Sequence, residues 1–365
     1  MNTGFTRRRF LRTAATASLA TASLPSALAQ SDKKVTLALV GVAHIHTPGF
    51  ISLLKTRDEV KVKSVWDHDA ARAEKHAKDL DAQPVKDVKQ IWSDPEISAV
   101  VICSETNRHN ELVLAAAKAG KHMFVEKPLG ITAKESLEMA EAIEKANLLF
   151  TTGYFMRTDP KHLFLKDQIA KGNLGKITRV RGSTCHSGSL AGWFDTEYRW
   201  MADPKSAGVG AFGDLGTHKL DILMWLLGDV EAVTAEIKSV TGRFEGCDET
   251  GEALLRFKQG VIGTLAAAWV DVADPVQLLI SGTEGHAAVV DNHLYYRSKK
   301  LPDSDSKEPY TKLPKAPRAP LHQFVDAVAG AKDQPLVTPR EAANRVMVME
   351  AIYNAAQTHS WIDVG

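Results

Sequence analysis

Cysteine is scarce: Cys103, Cys185 and Cys247 are the only three in 365 residues, far apart and without a C-x-x-C pair. This excludes a disulfide scaffold or a cysteine metal knot. Buried, inert thiols are expected, and a single disulfide stays open. An excess of charge is lacking too, since 45 Lys and Arg against 44 Asp and Glu leave a net charge of +1. No electrostatic case for nucleic acid follows. Long apolar runs are also missing. The apolar stretch near the start, Ala14 to Leu24, is too short and too rich in Thr and Ser to span a membrane, so no stable membrane anchor is expected. There is no internal repeat and no low-complexity domain. What is present is an ordinary globular composition, 44% hydrophobic and 24% charged, long enough for two domains and a large core.

The first 29 residues read as a targeting segment. Thr6-Arg-Arg-Arg-Phe-Leu-Arg12 resembles a twin-arginine export signal, Ala14 to Leu24 is its apolar part, and Ala27-Leu-Ala29 is a small-residue cleavage site. Cleavage after Ala29 and a periplasmic or otherwise exported protein are expected, with the twin-arginine translocase as a partner during export. The plain alternative is a basic, disordered N-terminus.

Val35 to Val40 is a short apolar run, as a buried parallel strand would be. Gly41-Val-Ala-His-Ile-His46 follows, and Thr47-Pro48 reads as an N-cap with proline in the first turn. Strand, glycine turn and helix start form the dinucleotide-binding context. The fingerprint G-x-G-x-x-G stands here as Gly41-x-Ala43-x-x-His46, lacking two glycines. Val60 to Trp66 is the next strand. Asp67 at its end suits the two ribose hydroxyls and favours NAD over NADP; its alternative role is to cap the helix Ala70 to Leu80. Further strands are Ala99 to Ile102, the run before Glu126-Lys-Pro128, and Leu148 to Thr152. Helices run from Asn110 to Ala119 and from a capping box at Thr132-Ala-Lys-Glu135 to about Ala146. The alternation predicts a parallel sheet with helices on both faces.

After Tyr154 the pattern changes. A helix from Pro160 to Lys171 leads to a strand from Thr178 to Ser187. The long stretch Gly188 to Ala211 carries Trp193, Phe194, Tyr198, Arg199 and Trp200, which suit sugar-ring stacking or a lid; ordinary loop packing is the alternative. Beyond the helix around Lys219 to Leu227, the runs Val230 to Val240, Glu252 to Phe257 and Val261 to Val270 read as a largely antiparallel sheet. Leu301 to Pro320 is a proline-rich linker, and Thr338-Pro-Arg-Glu341 opens the last helix. The expected divisions are a dinucleotide-binding domain over 30–155, a substrate domain over 156–318, and C-terminal helices over 319–365 that pack back on the core.

Two motifs carry chemistry. Lys127, in Glu126-Lys-Pro128, is placed at a strand end to face a ligand. Asp214 and His218 are four apart, on one face of a helix start. One ammonium, one carboxylate and one imidazole make a proton-transfer site. The plain readings are a surface lysine paired with Glu126, a helix-start histidine and a capping aspartate, with Asp221 structural. His44 and His46 form an H-x-H pair whose spacing suits a metal. No matching ligand set is evident downstream, so no metal is expected and the pair is read as touching cofactor or substrate.

These motifs stand in the order of a known family. Ala99-Val-Val-Ile-Cys-Ser104 with His109, Ala119-Gly-Lys-His122, Glu126-Lys-Pro128, Gly208-x-Gly210, Asp214-x-Gly216-x-His218-x-x-Asp221 and Pro335-Leu-Val-Thr-Pro339 cover nearly the whole chain after Ala29. The chain resembles the glucose–fructose oxidoreductase, inositol dehydrogenase and rhizopine-catabolism family (Gfo/Idh/MocA). The resemblance implies an α/β protein: an N-terminal Rossmann parallel sheet, then an α/β domain with an open, largely antiparallel sheet that serves as an oligomer interface. A homodimer or homotetramer is expected. It implies NAD(P)-dependent oxidation or reduction of a sugar, cyclitol or glycoside hydroxyl. Lys127 would contact the reacting oxygen, His218 act as general acid/base, and Asp214 assist. NAD, rather than NADP, would lie against Gly41, Ala43, His44, Ile45, Asp67, Ser104, His109, Glu126 and Lys127. Tyr154, Arg157, Trp193 and Tyr198 are the expected substrate contacts. An exported member would hold its cofactor tightly and recycle it. The alternatives are a redox-neutral glycosidase or lyase working through a transient keto-sugar, and a non-catalytic sugar-binding protein.

Overall fold

The computed structural model describes residues 34–302 and 304–365. The export signal expected over 1–29 lies outside the described residues. β1 (Val35–Val42) is apolar and almost wholly buried, so it sits at the centre of a parallel sheet. Around it alternate α1 (Thr47–Leu54), β2 (Val60–Trp66), α2 (Ala70–Leu80), β3 (Gln83–Pro84), α3 (Lys89–Ser93), β4 (Ala99–Cys103), α4 (His109–Lys118), β5 (His122–Val125), α5 (Ala133–Lys145) and β6 (Phe150–Thr152). The strand order is β3-β2-β1-β4-β5-β6. β1 pairs in parallel with β2 from Val35↔Val60 and with β4 from Leu37↔Ala99, so the order reverses beside β1. In such sheets ligands bind beyond the strands' carboxyl ends at that switch point.

One boundary differs from expectation. The N-cap of α1 is His46, without a side-chain cap, and Thr47 is already helical. The His46 ring is free for another task because its backbone, not its side chain, starts the helix. The Thr132 cap forms, and at Thr338 both halves of a capping box are present.

The second unit begins with α6 (Pro160–Ala170), β7 (Ile177–Cys185), α7 (Pro204–Ala207) and α8 (Ala211–Leu227). It continues through β8 (Val230–Lys238), β9 (Thr250–Phe257), β10 (Ile262–Ala268), β11 (Val276–Gly282), β12 (Gly285–Val290) and β13 (His293–Ser298). α9 (Pro320–Val328), α10 (Pro339–Thr358) and β14 (Ile362–Asp363) close the chain. The sheet order is β13-β12-β11-β7-β10-β9-β8-β14. Only β7 and β10 pair in parallel; the remaining pairs are antiparallel. Alternation explains the faces. On β9, Ala253, Leu255 and Phe257 turn inward, while Glu252, Leu254 and Arg256 turn outward. The buried face packs on α8, which is buried over nearly its full length.

Both C-terminal helices pack back on the parallel domain, and α10 also ties it to the second unit. Leu321, Phe324 and Val325 of α9 share a core with Leu37, Leu39 and Phe124. α10 places Ala342, Ala343 and Val346 in the parallel domain, and Val348, Met349 and Ile352 in the core of the second. All three cysteines are free, so no disulfide links the described residues.

Candidate active site

Gly41, the penultimate residue of β1, has φ +77°, and a Cβ there would stand 2.4 Å from that of Ser104. Only glycine allows β1 and the chain after β4 to close so tightly. The loop that follows is held from inside. Val42 N–H donates to Asp67 Oδ2 (2.8 Å), His44 N–H to the Cys103 carbonyl (2.9 Å), and His46 N–H to His44 Nδ1 (3.2 Å). Asp67 Oδ1 accepts from Asp69 N–H and from the Arg72 guanidinium, both at 2.8 Å. Asp67 thus pins the loop, while Asp69 caps α2. Asp67 also borders a cavity of about 370 Å³ with Trp66, His68 and Lys86. Ala43 offers its carbonyl to the indole N–H of Trp200 (3.1 Å), whose ring also faces His44. Ser104 and His109 are buried. His109 sits against the carbonyls of Ser104, Pro128 and Leu129, so it braces the turn after Lys127 rather than facing a cavity.

β5 ends at Val125, and Glu126 and Lys127 follow on the carboxyl side of the sheet. Lys127 Nζ donates to Asp214 Oδ1 at 2.6 Å and to the Asp214 carbonyl at 3.2 Å. The other carboxylate oxygen of Asp214 accepts the Trp269 indole N–H (3.1 Å). Burial alone would raise the Asp214 pKa; the Lys127 charge and hydrogen bond outweigh it and bring it down to about 2. His218 stands one turn further along α8, its ring 4.9 Å from that of Phe155. Burial first, and the Lys127 charge second, hold the imidazole well below its ordinary pKa, so it is neutral at pH 7.

Lys127, Asp214 and His218 line one cavity of about 390 Å³, together with Ile45, His46, Phe155, Thr184, His186 and Trp193. His218 Nδ1 and Thr184 Oγ1 are buried and have no hydrogen-bond partner. A buried polar atom without a partner is costly and uncommon, so two of them around one cavity are suited to a polar ligand.

The structure places three expected substrate contacts elsewhere. Tyr154 is buried, with its hydroxyl on Thr217 Oγ1 (3.0 Å). Arg157 binds Asp221 twice, at 2.6 and 2.8 Å, and reaches Glu341 at 3.0 Å. Asp221 is a fully buried carboxylate that also takes Arg345 (2.9 Å), and a buried charge demands such partners. Tyr198 packs against the second domain's core. Trp193 does line the cavity, with its ring 4.8 Å from that of His186. His186, Thr184 and Phe155 were absent from the sequence expectation. The end of β7, whose inward positions must face the same space as α8, is the signal that points to the first two.

The expectation that no third ligand accompanies His44 and His46 is also corrected. A ring nitrogen of each and a carboxylate oxygen of Glu126 all lie within 4.8 Å of one another. Glu126 comes from β5's end, 80 positions from His46, so no local spacing could reveal it.

A doubly wound parallel sheet with a cavity beyond its carboxyl edge, roofed by a second α/β domain, defines a Rossmann-type two-domain protein. The chain belongs to the GFO/IDH/MocA family. Residues 35–154 match the model described as "Oxidoreductase family, NAD-binding Rossmann fold", and residues 162–288 match the GFO/IDH/MocA C-terminal domain. Levoglucosan dehydrogenase of Pseudarthrobacter phenanthrenivorans is 33% identical over 42% of this chain and 39% of its own length. The scyllo-inositol 2-dehydrogenase (NAD(+)) of Bacillus subtilis is 27% identical over 89% of this chain and 94% of its own. Five curated relatives at 30 to 33% identity are matched over 39 to 59% of their lengths. The solved structure of levoglucosan dehydrogenase with NADH superposes with a TM-score of 0.77 at 23% identity, covering 91% of this chain and all of that one.

Proposed function

We propose that the chain is an NAD-dependent oxidoreductase acting on a hydroxyl of a sugar, cyclitol or glycoside. It is exported through the twin-arginine pathway and holds its cofactor tightly between turnovers. One observation carries this reading: Lys127, Asp214 and His218 meet in a single cavity at the carboxyl edge of the parallel sheet. The family, and relatives named for levoglucosan and scyllo-inositol, support the substrate class.

The residues present fit a dinucleotide. The close approach at Gly41, the cavity beside Asp67 and the unpartnered atoms of His218 and Thr184 follow the edge along which such a ligand would lie. Gly41, Ala43, Ile45 and Asp67 would hold it at the loop. Bound NAD supplies the hydride acceptor. Neutral His218 takes the hydroxyl proton of the substrate. Lys127 donates to the same oxygen and stabilises the negative charge that develops on it. Asp214, fixed by Trp269, aims the ammonium. Trp193 and Phe155 give the ring an apolar wall and exclude water.

The test is native mass spectrometry of the exported protein purified without added cofactor, followed by denaturation to identify what is released. NAD or NADH is the expected product. An empty protein that also refuses added NAD and NADP would overturn the reading and leave a sugar-binding protein.

A further inference from the structure

Glu126 is fully buried, yet no lysine ammonium or arginine guanidinium pairs with its carboxylate among the described residues. Its ion-pair partners are two imidazoles: His46 Nδ1 at 3.0 Å and His44 Nδ1 at 3.9 Å, both on Oε1. Lys127, the nearest basic residue in sequence, directs its ammonium to Asp214 instead. A buried carboxylate is ordinarily paired with a cation or bound to a metal. Two imidazole nitrogens and one carboxylate oxygen are the protein ligand set of a catalytic zinc-class site that keeps a further position open.

The surroundings suit that role. Glu126 Oε2 accepts the Lys127 amide (2.8 Å), which fixes the carboxylate and leaves Oε1 toward the histidines. Gly153 packs against the same oxygen, and a Cβ there would stand 2.8 Å from it. The His44 ring is held between the His46 and Trp200 rings. His46 lines the cavity that contains Lys127, Asp214 and His218, and also a neighbouring cavity of about 440 Å³ with Phe50, Phe124 and Gly153; the first is the side on which the cluster meets the candidate active site. His44 Nδ1 accepts the His46 amide, and ligation would exchange that bond for the cation.

We propose that His44, His46 and Glu126 bind one divalent cation of the zinc class, with its open position toward the cavity of Lys127 and His218. The competing arrangement is a hydrogen-bonded His46–Glu126 pair with no metal.

The experiment titrates Co²⁺ into the chelator-treated, full-length exported protein and follows visible ligand-field absorption, with metal counted by mass spectrometry. Expected are one Co²⁺ per chain, displacement by Zn²⁺, and affinity at least about tenfold weaker in Glu126→Gln and His46→Gln. Lys127→Met should retain the spectrum. His46 is half-exposed, so its variant keeps the test open if Glu126→Gln fails to fold. Absence of equimolar cobalt, or an unchanged spectrum in folded His46→Gln, overturns the proposal. The outcome is separable from the enzymatic reading. Nicotinamide without cobalt removes the metal site alone, and cobalt without nicotinamide removes the oxidoreductase alone.

Discussion

Lys127 Nζ and Asp214 Oδ1 lie 2.6 Å apart, joining the end of β5 in the parallel domain to the first turn of α8 in the second. Both side chains are largely buried, so the pair owes its strength to geometry and to the Trp269 hydrogen bond rather than to solvent-screened attraction. Replacing Lys127 by Met strands the carboxylate and removes the cation from the reacting oxygen. Turnover on the best substrate of a cyclitol and anhydrosugar panel should fall about 10²–10³-fold. Nicotinamide recovered from the purified variant should be unchanged. Loss of the cofactor together with turnover would assign Lys127 to binding alone.

His218 is predicted to control the pH profile. Its imidazole is neutral well below pH 6.5, because burial and Lys127 oppose the charge. The acid limb of kcat/KM should therefore fall below 6.5, with activity flat above it until other groups titrate. His218→Asn should lower kcat about 10²–10⁴-fold and abolish that limb. A limb that persists in the variant would belong to another residue.

Arg157 is expected to act on stability. It shares Asp221 with Arg345, and removing it leaves a buried carboxylate with half its partners. Arg157→Ala should cost about 3–5 kcal/mol in denaturant unfolding. The KM of the folded variant should not change; a selective rise in KM would return Arg157 to the substrate.

Part of the acid destabilisation should be traceable to His162. Its Nδ1 donates to the Met156 carbonyl (2.9 Å), and burial, then the charge of Lys219, push its pKa from 6.5 down to about 4. Below 6.5 the unfolded chain binds a proton that the native state refuses. Stability from this site is full above 6.5 and lost as pH falls toward 4, at about 1.4 kcal/mol per pH unit. Stability measured against pH should be flatter over that window in His162→Gln.

Much of this arrangement was legible in the sequence, for reasons that differ by residue. The apolar runs of β1 and β4 and the alternation of β9 are local patterns set by the faces each strand buries. Lys127, Asp214 and His218 sit in motifs whose spacing places them at element ends. Arg157 and Tyr154 were not legible, because their partners Asp221 and Thr217 arrive 64 and 63 positions later. Tyr198 and Trp193 share a loop of similar composition, and only packing decides that Trp193 faces the cavity while Tyr198 joins the core. Glu126 belonged to a recognised motif, yet its contact with two histidines depends on how β1 and β5 are ordered in the sheet.

The seam that joins Lys127 to Asp214 also constrains how this protein can change. Each half of the chain contributes a fragment that does nothing alone: an ammonium from one side, a carboxylate and an imidazole from the other. A chimera that took its first 155 residues from one relative and the remainder from another could keep both motifs and still be inert. The distance between them is set by α10, which packs on both halves at once. A change in either domain that shifts its packing on α10 moves one half of the site relative to the other.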